Sequence, residues 1–425
     1  MGIAPVTPLP MSNTTESAPA ATGRAMDPFA PWVLRGVELR NRFIKAATFE
    51  GHCPGGRPHR EGLAGFHEAF AKGGVALCTL AYGAVEPGGR TFDDQMCLQD
   101  DILDDLRYVT DAIHRHGAKA AIQLAHCGGS SKWSGWIGKR ARGPSNVFNG
   151  LGMFVGTPLA RALRLDELPK LADDYRVSAE RAVAAGFDAV ELHMGHGYLL
   201  SQFLSPAVNK RRDEFGGSLE NRARFPLQVI RAVRDGVGGS VPIVVKMNLR
   251  DGFRGGLEIQ DSVAFAKLLE ANEADALVLT GGFTSKSAMY LFRGPTFVHE
   301  LIKAQRRKID KLVYRMAAPT MKSLPFEELY FLDLAKQVMA AVDLPLICIG
   351  GVQSLASVRR ALAEGYQAVQ LGRALIHDPS LAQHYADGSK TESGCTVCNL
   401  CVAEMDRDGV RCVLNDALPA RVRVA

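Results

Sequence analysis

Eight short apolar runs recur along the chain: FIKAA (43–47), VALCTL (75–80), KAAIQL (119–124), DAVELH (188–193), PIVVKM (242–247), ALVLT (276–280), PLICI (345–349) and AVQLG (368–372). They are nearly continuously apolar, which predicts strands buried on both faces rather than strands with one wet face. Between them the pattern takes the helical period, as in ILDDLRYVTDAIHRHG (102–117), LPKLADDYRVSAERAVAAG (168–186) and FEELYFLDLAKQVMAAV (326–342). Gly117, Gly186 and Gly365 fall just past helices, a usual stop signal. Eight βα units in series predict a closed (β/α)8 TIM barrel. The rival, a doubly wound sheet, normally has fewer strands and an early G-x-G-x-x-G, and that fingerprint is missing. Repeats at solenoid periods are absent too.

Three segments follow from this pattern. Residues 1–27 are rich in Pro, Ala, Ser and Thr without any period, and predict a disordered tail. They lack the basic start and unbroken apolar stretch of a signal peptide, and Val6 stands where myristoylation wants Ser or Thr. Met11 and Met26 are alternative starts. The barrel is placed at 28–390 and a short Cys-rich extension at 391–425. Within the barrel, 283–325 is too long for an ordinary connection and is basic at KAQRRKIDK (303–311), so it predicts an excursion over the C-terminal face.

Composition narrows the function classes. The 425 residues are 47% hydrophobic and 22% charged, as in a globular protein with a sizeable core. A formal charge of +5, mixed along the chain, argues against a nucleic-acid partner. No apolar run approaches the roughly 18 residues of a membrane span. Nine cysteines in a chain this long are not a secreted disulfide scaffold. The expectation is a cytoplasmic enzyme.

In a TIM barrel, function belongs to the strand C-termini. Strand seven ends in Ile349-Gly350-Gly351 and strand eight in Leu371-Gly372-Arg373. Glycines that let the backbone approach an anion, plus Arg373, fit a phosphate site in the two slots where barrels often hold one. The plainer reading is that the glycines only make tight turns. Strand four ends in Glu191-Leu192-His193-Met194-Gly195-His196-Gly197-Tyr198. Two imidazoles can bond one carbonyl oxygen, and Tyr198, with an ordinary pKa of about 10, can donate a proton. A metal site from His193 and His196 would lack a nearby third ligand.

The run from His193 through Ser205-Pro206, continuing through Asn209, Arg212, Asp213 and Phe215-Gly216-Gly217-Ser218-Leu219-Glu220-Asn221-Arg222, resembles the old yellow enzyme superfamily. These are FMN-dependent barrels, many of which reduce activated C=C bonds. The resemblance covers nearly all of 30–415. It implies that His193 and His196 bind the substrate's electron-withdrawing oxygen and that Tyr198 is the proton donor. It implies that Gln123 bonds the flavin pyrimidine edge, that Lys246 stands beside flavin N1 and O2, and that Gly350, Gly351, Gly372 and Arg373 hold the FMN phosphate. Many relatives have Arg in place of Lys246, so the bidentate fork is lost. Where relatives often read Ala-Ala-Met-Thr-Glu-Gly, this chain reads Ala46-Ala47-Thr48-Phe49-Glu50-Gly51. Ala47 and Thr48 are thus placed at the flavin, with Phe49 in the slot where relatives carry the threonine that tunes O4. Tyr82 falls where relatives place a residue near the substrate, as a wall or as core.

Cys395-x-x-Cys398-x-x-Cys401 is followed by Cys412. Four clustered thiolates suit a [4Fe-4S] cluster or a structural zinc. The spacing resembles the iron–sulfur branch that contains 2,4-dienoyl-CoA reductase and trimethylamine dehydrogenase. There the cluster relays electrons to FMN from a fused FAD/NAD(P)H domain, which is not expected within this chain. Electrons are then expected from NAD(P)H directly or from a separate reductase protein. Cys53, Cys78, Cys97, Cys127 and Cys348 read as ordinary thiols. The function expected is reduction of α,β-unsaturated carbonyl or enoyl substrates by hydride transfer from flavin N5. The alternatives are a flavin-dependent amine dehydrogenase and a non-catalytic electron-transfer subunit, and assembly as a homo-oligomer stays open.

Overall fold

The computed structural model describes residues 26–305, 307–405 and 409–418. Of the tail predicted over 1–27, residues 1–25 lie outside the described residues. All eight predicted strands form: β1 (Phe43–Lys45), β2 (Leu77–Ala84), β3 (Lys119–Ala125), β4 (Ala189–Met194), β5 (Ile243–Asn248), β6 (Ala276–Thr280), β7 (Leu346–Cys348) and β8 (Ala368–Leu371). They close into one parallel barrel in sequence order, β8 pairing with β1.

Along each strand successive side chains alternate between barrel interior and helix layer. Phe43, Leu80, Ile122, Leu192 and Leu277 point outward into the main core. They pack under α1 (Arg60–Lys72), α2 (Leu103–His114), α3 (Glu167–Ala184), α4 (Leu219–Val237), α5 (Ile259–Glu270), α6 (Leu332–Met339), α7 (Leu355–Ala363) and α8 (Leu381–Ala386). Inside, Ile44, Ala121, Ala189, Val244, Ala276 and Ala368 form a second apolar cluster with Trp32, Leu34 and Leu39. Those three come from an N-terminal hairpin, Trp32–Leu34 paired with Val37–Leu39. Its turn residues Arg35 and Gly36 both have positive φ (43° and 80°), the backbone that lets a two-residue loop match the strand twist. The hairpin packs on the small residues that open the strands, so one end of the barrel is apolar and filled. The inward residues at the strands' other ends are polar.

Two element bounds differ from the sequence expectation. The helix predicted over 326–342 forms only at Leu332–Met339. Leu329 has φ of +60°, which breaks a helix, and the Tyr330 and Phe331 rings pack against Gly350 instead. The FIKAA strand ends at Lys45, and Ala47 onward turns over the barrel mouth. The 283–325 excursion contains three short helices, Ala288–Phe292, Val298–Ala304 and Lys308–Ala317. Its Met289, Phe297 and Leu301 pack on Val402 and Ala403 of the C-terminal helix Leu400–Glu404. A small sheet of Arg142–Gly143, Val147–Phe148 and Leu159–Ala162 precedes α3 and was not foreseen, since strands this short leave almost no period to read. Among the described residues no helix is long and apolar enough to cross a membrane.

Candidate active site

A cavity of about 390 Å³ opens at the strand C-termini. It is lined by Ala47 and Thr48 after β1, Gln123 of β3, His193 of β4, His196, Tyr198, Lys246 of β5, Gly350 and Gly351 after β7, and Gly372 and Arg373 after β8. The structure therefore brings together every residue that the sequence assigned to catalysis or flavin binding.

The strand-four turn sets the imidazoles side by side. The His193 ring lies 4.9 Å from that of His196 and 4.6 Å from that of Tyr198. His193 Nδ1 accepts the Gly195 N–H at 3.3 Å, which leaves the proton of the neutral ring on Nε2. His196 has φ of +56°, and its backbone N–H donates to Asn248 Oδ1 at 3.0 Å. Its carbonyl accepts from both the N–H and the hydroxyl of Thr284, each at 3.0 Å. Its Nε2 lies 2.9 Å from Thr280 Oγ1 at the end of β6. Gly197 follows with φ of +78°, and a Cβ there would stand 2.3 Å from the Phe283 ring, so only glycine fits. Burial, with the charge of Lys246 nearby, pushes the His196 pKa down to about 3. Burial, then His196 and Lys246, holds His193 well below its ordinary value. Both rings are neutral hydrogen-bonding groups near pH 7. Burial pushes the Tyr198 phenol up to about 12, so it keeps its proton.

Beneath this cluster lies a polar floor built on one carboxylate. Glu191 Oε1 accepts from Lys246 Nζ at 2.7 Å and from Gln123 Nε2 at 2.6 Å, and Oε2 accepts from Gln370 Nε2 at 2.6 Å. Glu191 and Lys246 side chains are each 2% exposed. Two buried polar atoms on the cavity wall, Thr48 Oγ1 and Gln370 Oε1, have no protein partner. Buried polar groups are rarely left this way unless something else supplies the bond.

The sequence pattern of the NADH:flavin oxidoreductase / NADH oxidase family matches residues 27–286. The chain belongs to this family. It is 39% identical over 398 residues to the 4,4'-dithiodibutanoate disulfide reductase of Rhodococcus erythropolis, covering 92% of this chain and 96% of that one. Its fold is similar to a 2-naphthoyl-CoA reductase, with a TM-score of 0.74 and 23% identity, covering 92% of this chain and 57% of that chain. It is also similar to the old yellow enzyme homologue of Zymomonas mobilis, with a TM-score of 0.68 and 21% identity over 87% of this chain and 94% of that one. The chain thus spans 96% of the first relative but little more than half of the naphthoyl-CoA reductase chain. It is an enzyme of the old yellow enzyme superfamily, an oxidoreductase that works with a flavin and NAD(P)H.

The family's FMN fits the residues present. The partnerless atoms belong to Thr48 and Gln370, which line the same cavity as Gln123 and Lys246, where a polar ring edge would supply partners. At the other end Gly350 and Gly351 have φ of +107° and +79°, and a Cβ on either would press into Tyr330, Phe331 or the Glu327 carbonyl. Gly372 is different: the nearest atom to an added Cβ is Thr48 Cγ2 at 3.9 Å, so its cavity side is open. Arg373 is hydrogen-bonded to the Asn399 side chain. Asn399 in turn donates from Nδ2 to the carbonyls of Arg293 (2.7 Å) and Pro295 (2.9 Å). One buried amide thereby ties Arg373 to the excursion and to the Cys-rich segment.

Cys395, Cys398, Cys401 and Cys412 line one small cavity beside Arg373 and His377, and Cys401 also lines the main cavity. Burial pushes Cys401 up to about 12, and burial likewise raises Cys395, with Cys398 and Cys412 adding to it. Among the described residues no three His, Cys, Asp or Glu side chains are already gathered around a single ion position.

Sequence reasoning missed Glu191, Gln370, Thr280 and Asn399. The first two were findable. Glu191 lies two residues before His193 on the same strand, hence on the same inward face, and Gln370 is the one polar residue inside AVQLG. Thr280 and Asn399 act through contacts between distant segments, which no local pattern marks.

Proposed function

We propose that this enzyme reduces an activated C=C bond of an α,β-unsaturated carbonyl or enoyl compound, with FMN reduced by NAD(P)H. The carrying observation is a neutral imidazole pair set 4.9 Å apart beside a protonated phenol at the mouth of the cavity. When bound, reduced FMN supplies the hydride. His193, protonated on Nε2, donates to the substrate's carbonyl oxygen. His196 joins it from Nδ1 when Thr280 donates to Nε2. Together they draw charge off the double bond as it accumulates on oxygen. Tyr198 gives its proton to the neighbouring carbon. Gln123, Lys246, Gln370 and Thr48, which line the same cavity, would hold and orient the flavin.

The test is anaerobic rapid mixing of the reduced, FMN-loaded enzyme with 2-cyclohexenone. His193→Ala should slow flavin reoxidation about a hundred- to a thousandfold, as for loss of one oxyanion donor, while FMN stays bound. Reoxidation at the wild-type rate in that variant overturns the assignment.

Reduction of a small disulfide is the second reading, favoured by the 39% identity to the 4,4'-dithiodibutanoate disulfide reductase. The same proton donor would serve a departing thiolate. A parallel arm with that disulfide separates the two: the better oxidant of the reduced flavin marks the substrate class.

The four C-terminal cysteines are read as ligands of a [4Fe-4S] cluster, which supplies one-electron relay when bound. Four thiols on one cavity, with burial opposing the ionisation of Cys395 and Cys401, are the donor set that binding to iron would relieve. Iron and acid-labile sulfide in protein purified without air support this. Stoichiometric zinc in their place overturns it.

A further inference from the structure

We propose that Tyr82 orients and recharges Tyr198, as the middle member of a buried hydroxyl chain that runs Tyr198, Tyr82, Thr91. The inference rests on the reading of Tyr198 as proton donor and names what stands behind it. The Tyr82 and Tyr198 hydroxyls are 2.9 Å apart, and those of Tyr82 and Thr91 are 3.2 Å apart. All three residues are buried, and all three border the main cavity. The chain is held in place by one side chain. Gln95, fully buried, accepts the Thr91 N–H on Oε1 at 2.6 Å and donates from Nε2 to the Tyr82 carbonyl at 3.3 Å. The Tyr82 ring also stands edge-on to His193, 6.4 Å away at 87°.

A lone phenol in an apolar wall is a reluctant acid, because its anion is desolvated. A hydroxyl donated into its oxygen stabilises that anion. Burial lifts both phenols, and the hydrogen bond between them partly offsets this for Tyr198. The Tyr82 hydroxyl donates to Thr91 Oγ1 at 3.2 Å, and either hydroxyl can donate in the 2.9 Å bond between the phenols, so turning the Tyr82 O–H toward Tyr198 as its phenolate forms supplies the donor. The protons balance along the chain. Tyr198 loses its proton to the substrate carbon, Tyr82 gives its own to the Tyr198 oxygen, and Thr91 passes one to Tyr82 and takes one from water. The net consumption is one solvent proton per turnover. Tyr82 touches no reacting atom in this scheme and acts through Tyr198.

The experiment measures both half-reactions of FMN-loaded Tyr82→Phe, which keeps the aromatic wall and removes one oxygen. Reoxidation of reduced enzyme by 2-cyclohexenone is followed in mixtures of light and heavy water. In the wild type more than one proton is in flight, so the rate should fall along a curve as the deuterium fraction rises. In Tyr82→Phe the plot should become linear and the reoxidation about tenfold slower, a modest share of what a general acid supplies. Thr91→Val, at the outer end, should also straighten the plot, with a smaller loss of rate. A wild-type rate with an unchanged curve in Tyr82→Phe overturns the proposal. So does an equal slowing of flavin reduction by NAD(P)H, which would mark a merely structural tyrosine. Failure of the enone to reoxidise the wild type at all removes the C=C reading itself and the relay with it, so the two failures are told apart by the wild-type arm.

Discussion

Glu50 and Glu191 are both 2% exposed, and each holds a buried lysine, yet they sit in different worlds. Glu50 lies outside the barrel wall, between β1, β2 and α1. Its Oε1 accepts from Lys45 Nζ at 3.3 Å, His67 Nε2 at 3.1 Å and the Ala81 N–H at 2.9 Å, and Lys45 Nζ is 5.2 Å from the Phe66 ring centre. Glu191 lies inside the barrel, and the partners of both its oxygens line the cavity. Each cluster leaves one polar atom without a partner, Nδ1 of His67 and Oε1 of Gln370. Of the two, only Gln370 lines the cavity. A buried ion pair therefore does not mark a functional site by itself. An unsatisfied polar atom on a residue that lines the cavity is what sets the two clusters apart.

The contrast is broken most directly at Glu50. Glu50→Ala strands the Lys45 charge in an apolar layer, and loss of one partner of a buried pair costs about 3–5 kcal/mol. The urea midpoint of the flavin-free protein should fall accordingly. A change under about 1 kcal/mol, on the scale of an ordinary surface substitution, would mean that the pair is not structural.

His67 sharpens the same contrast through pH. Burial, with Lys45 nearby, pushes its pKa down to about 4 from an unfolded value near 6.5. Below about pH 6.5 the unfolded chain binds a proton that the folded ring refuses. Stability present above that pH is therefore lost as pH falls toward 4, at about 1.4 kcal/mol per pH unit, roughly 3 kcal/mol in all. His193 and His196 in the site add slopes of the same sign. His67→Gln keeps a donor for Glu50 and should remove its share of the acid slope while leaving theirs. An unchanged slope in denaturant titrations at pH 6.5 and 4.5 would place the acid sensitivity in the site instead.

The barrel was legible because every one of its strands is buried on both faces, and such strands announce themselves as apolar runs. The strand-four histidines were legible because motif and strand end coincide. The Glu191 floor was hidden by the same property that revealed the barrel: within an apolar run a single Glu or Gln reads as an irregularity, and only the two-residue alternation assigns it to the inside with His193. Asn399 and Thr280 were not legible at all. Their partners, Arg373 with the Arg293 and Pro295 carbonyls for the one and His196 for the other, lie far off in the chain, and only the closed barrel brings them together. The helix expected over 326–342 was too long because periodicity could not show that Tyr330 and Phe331 are recruited to pack on the β7 glycine turn.

The smallest and most discriminating effect is expected from Glu191→Gln. The substitution keeps the shape and an accepting oxygen for Lys246, so the loss of stability should be below that of Glu50→Ala. It removes a negative charge from beneath the cavity and leaves Lys246 uncompensated. Reduced flavin carries more negative charge than oxidised flavin, so an uncompensated cation beside it favours reduction. The midpoint potential of bound FMN should therefore rise in Glu191→Gln and stay unchanged in Glu50→Gln, whose cluster does not border the cavity. Spectroelectrochemical titration of the two holoproteins reads this without any substrate. A rise in both would mean that the flavin responds to charge through the barrel wall, and the distinction between the two carboxylates would then rest on packing alone. No rise in either would place Lys246 out of reach of the flavin, and with it the one lysine that the floor of the site was built to hold.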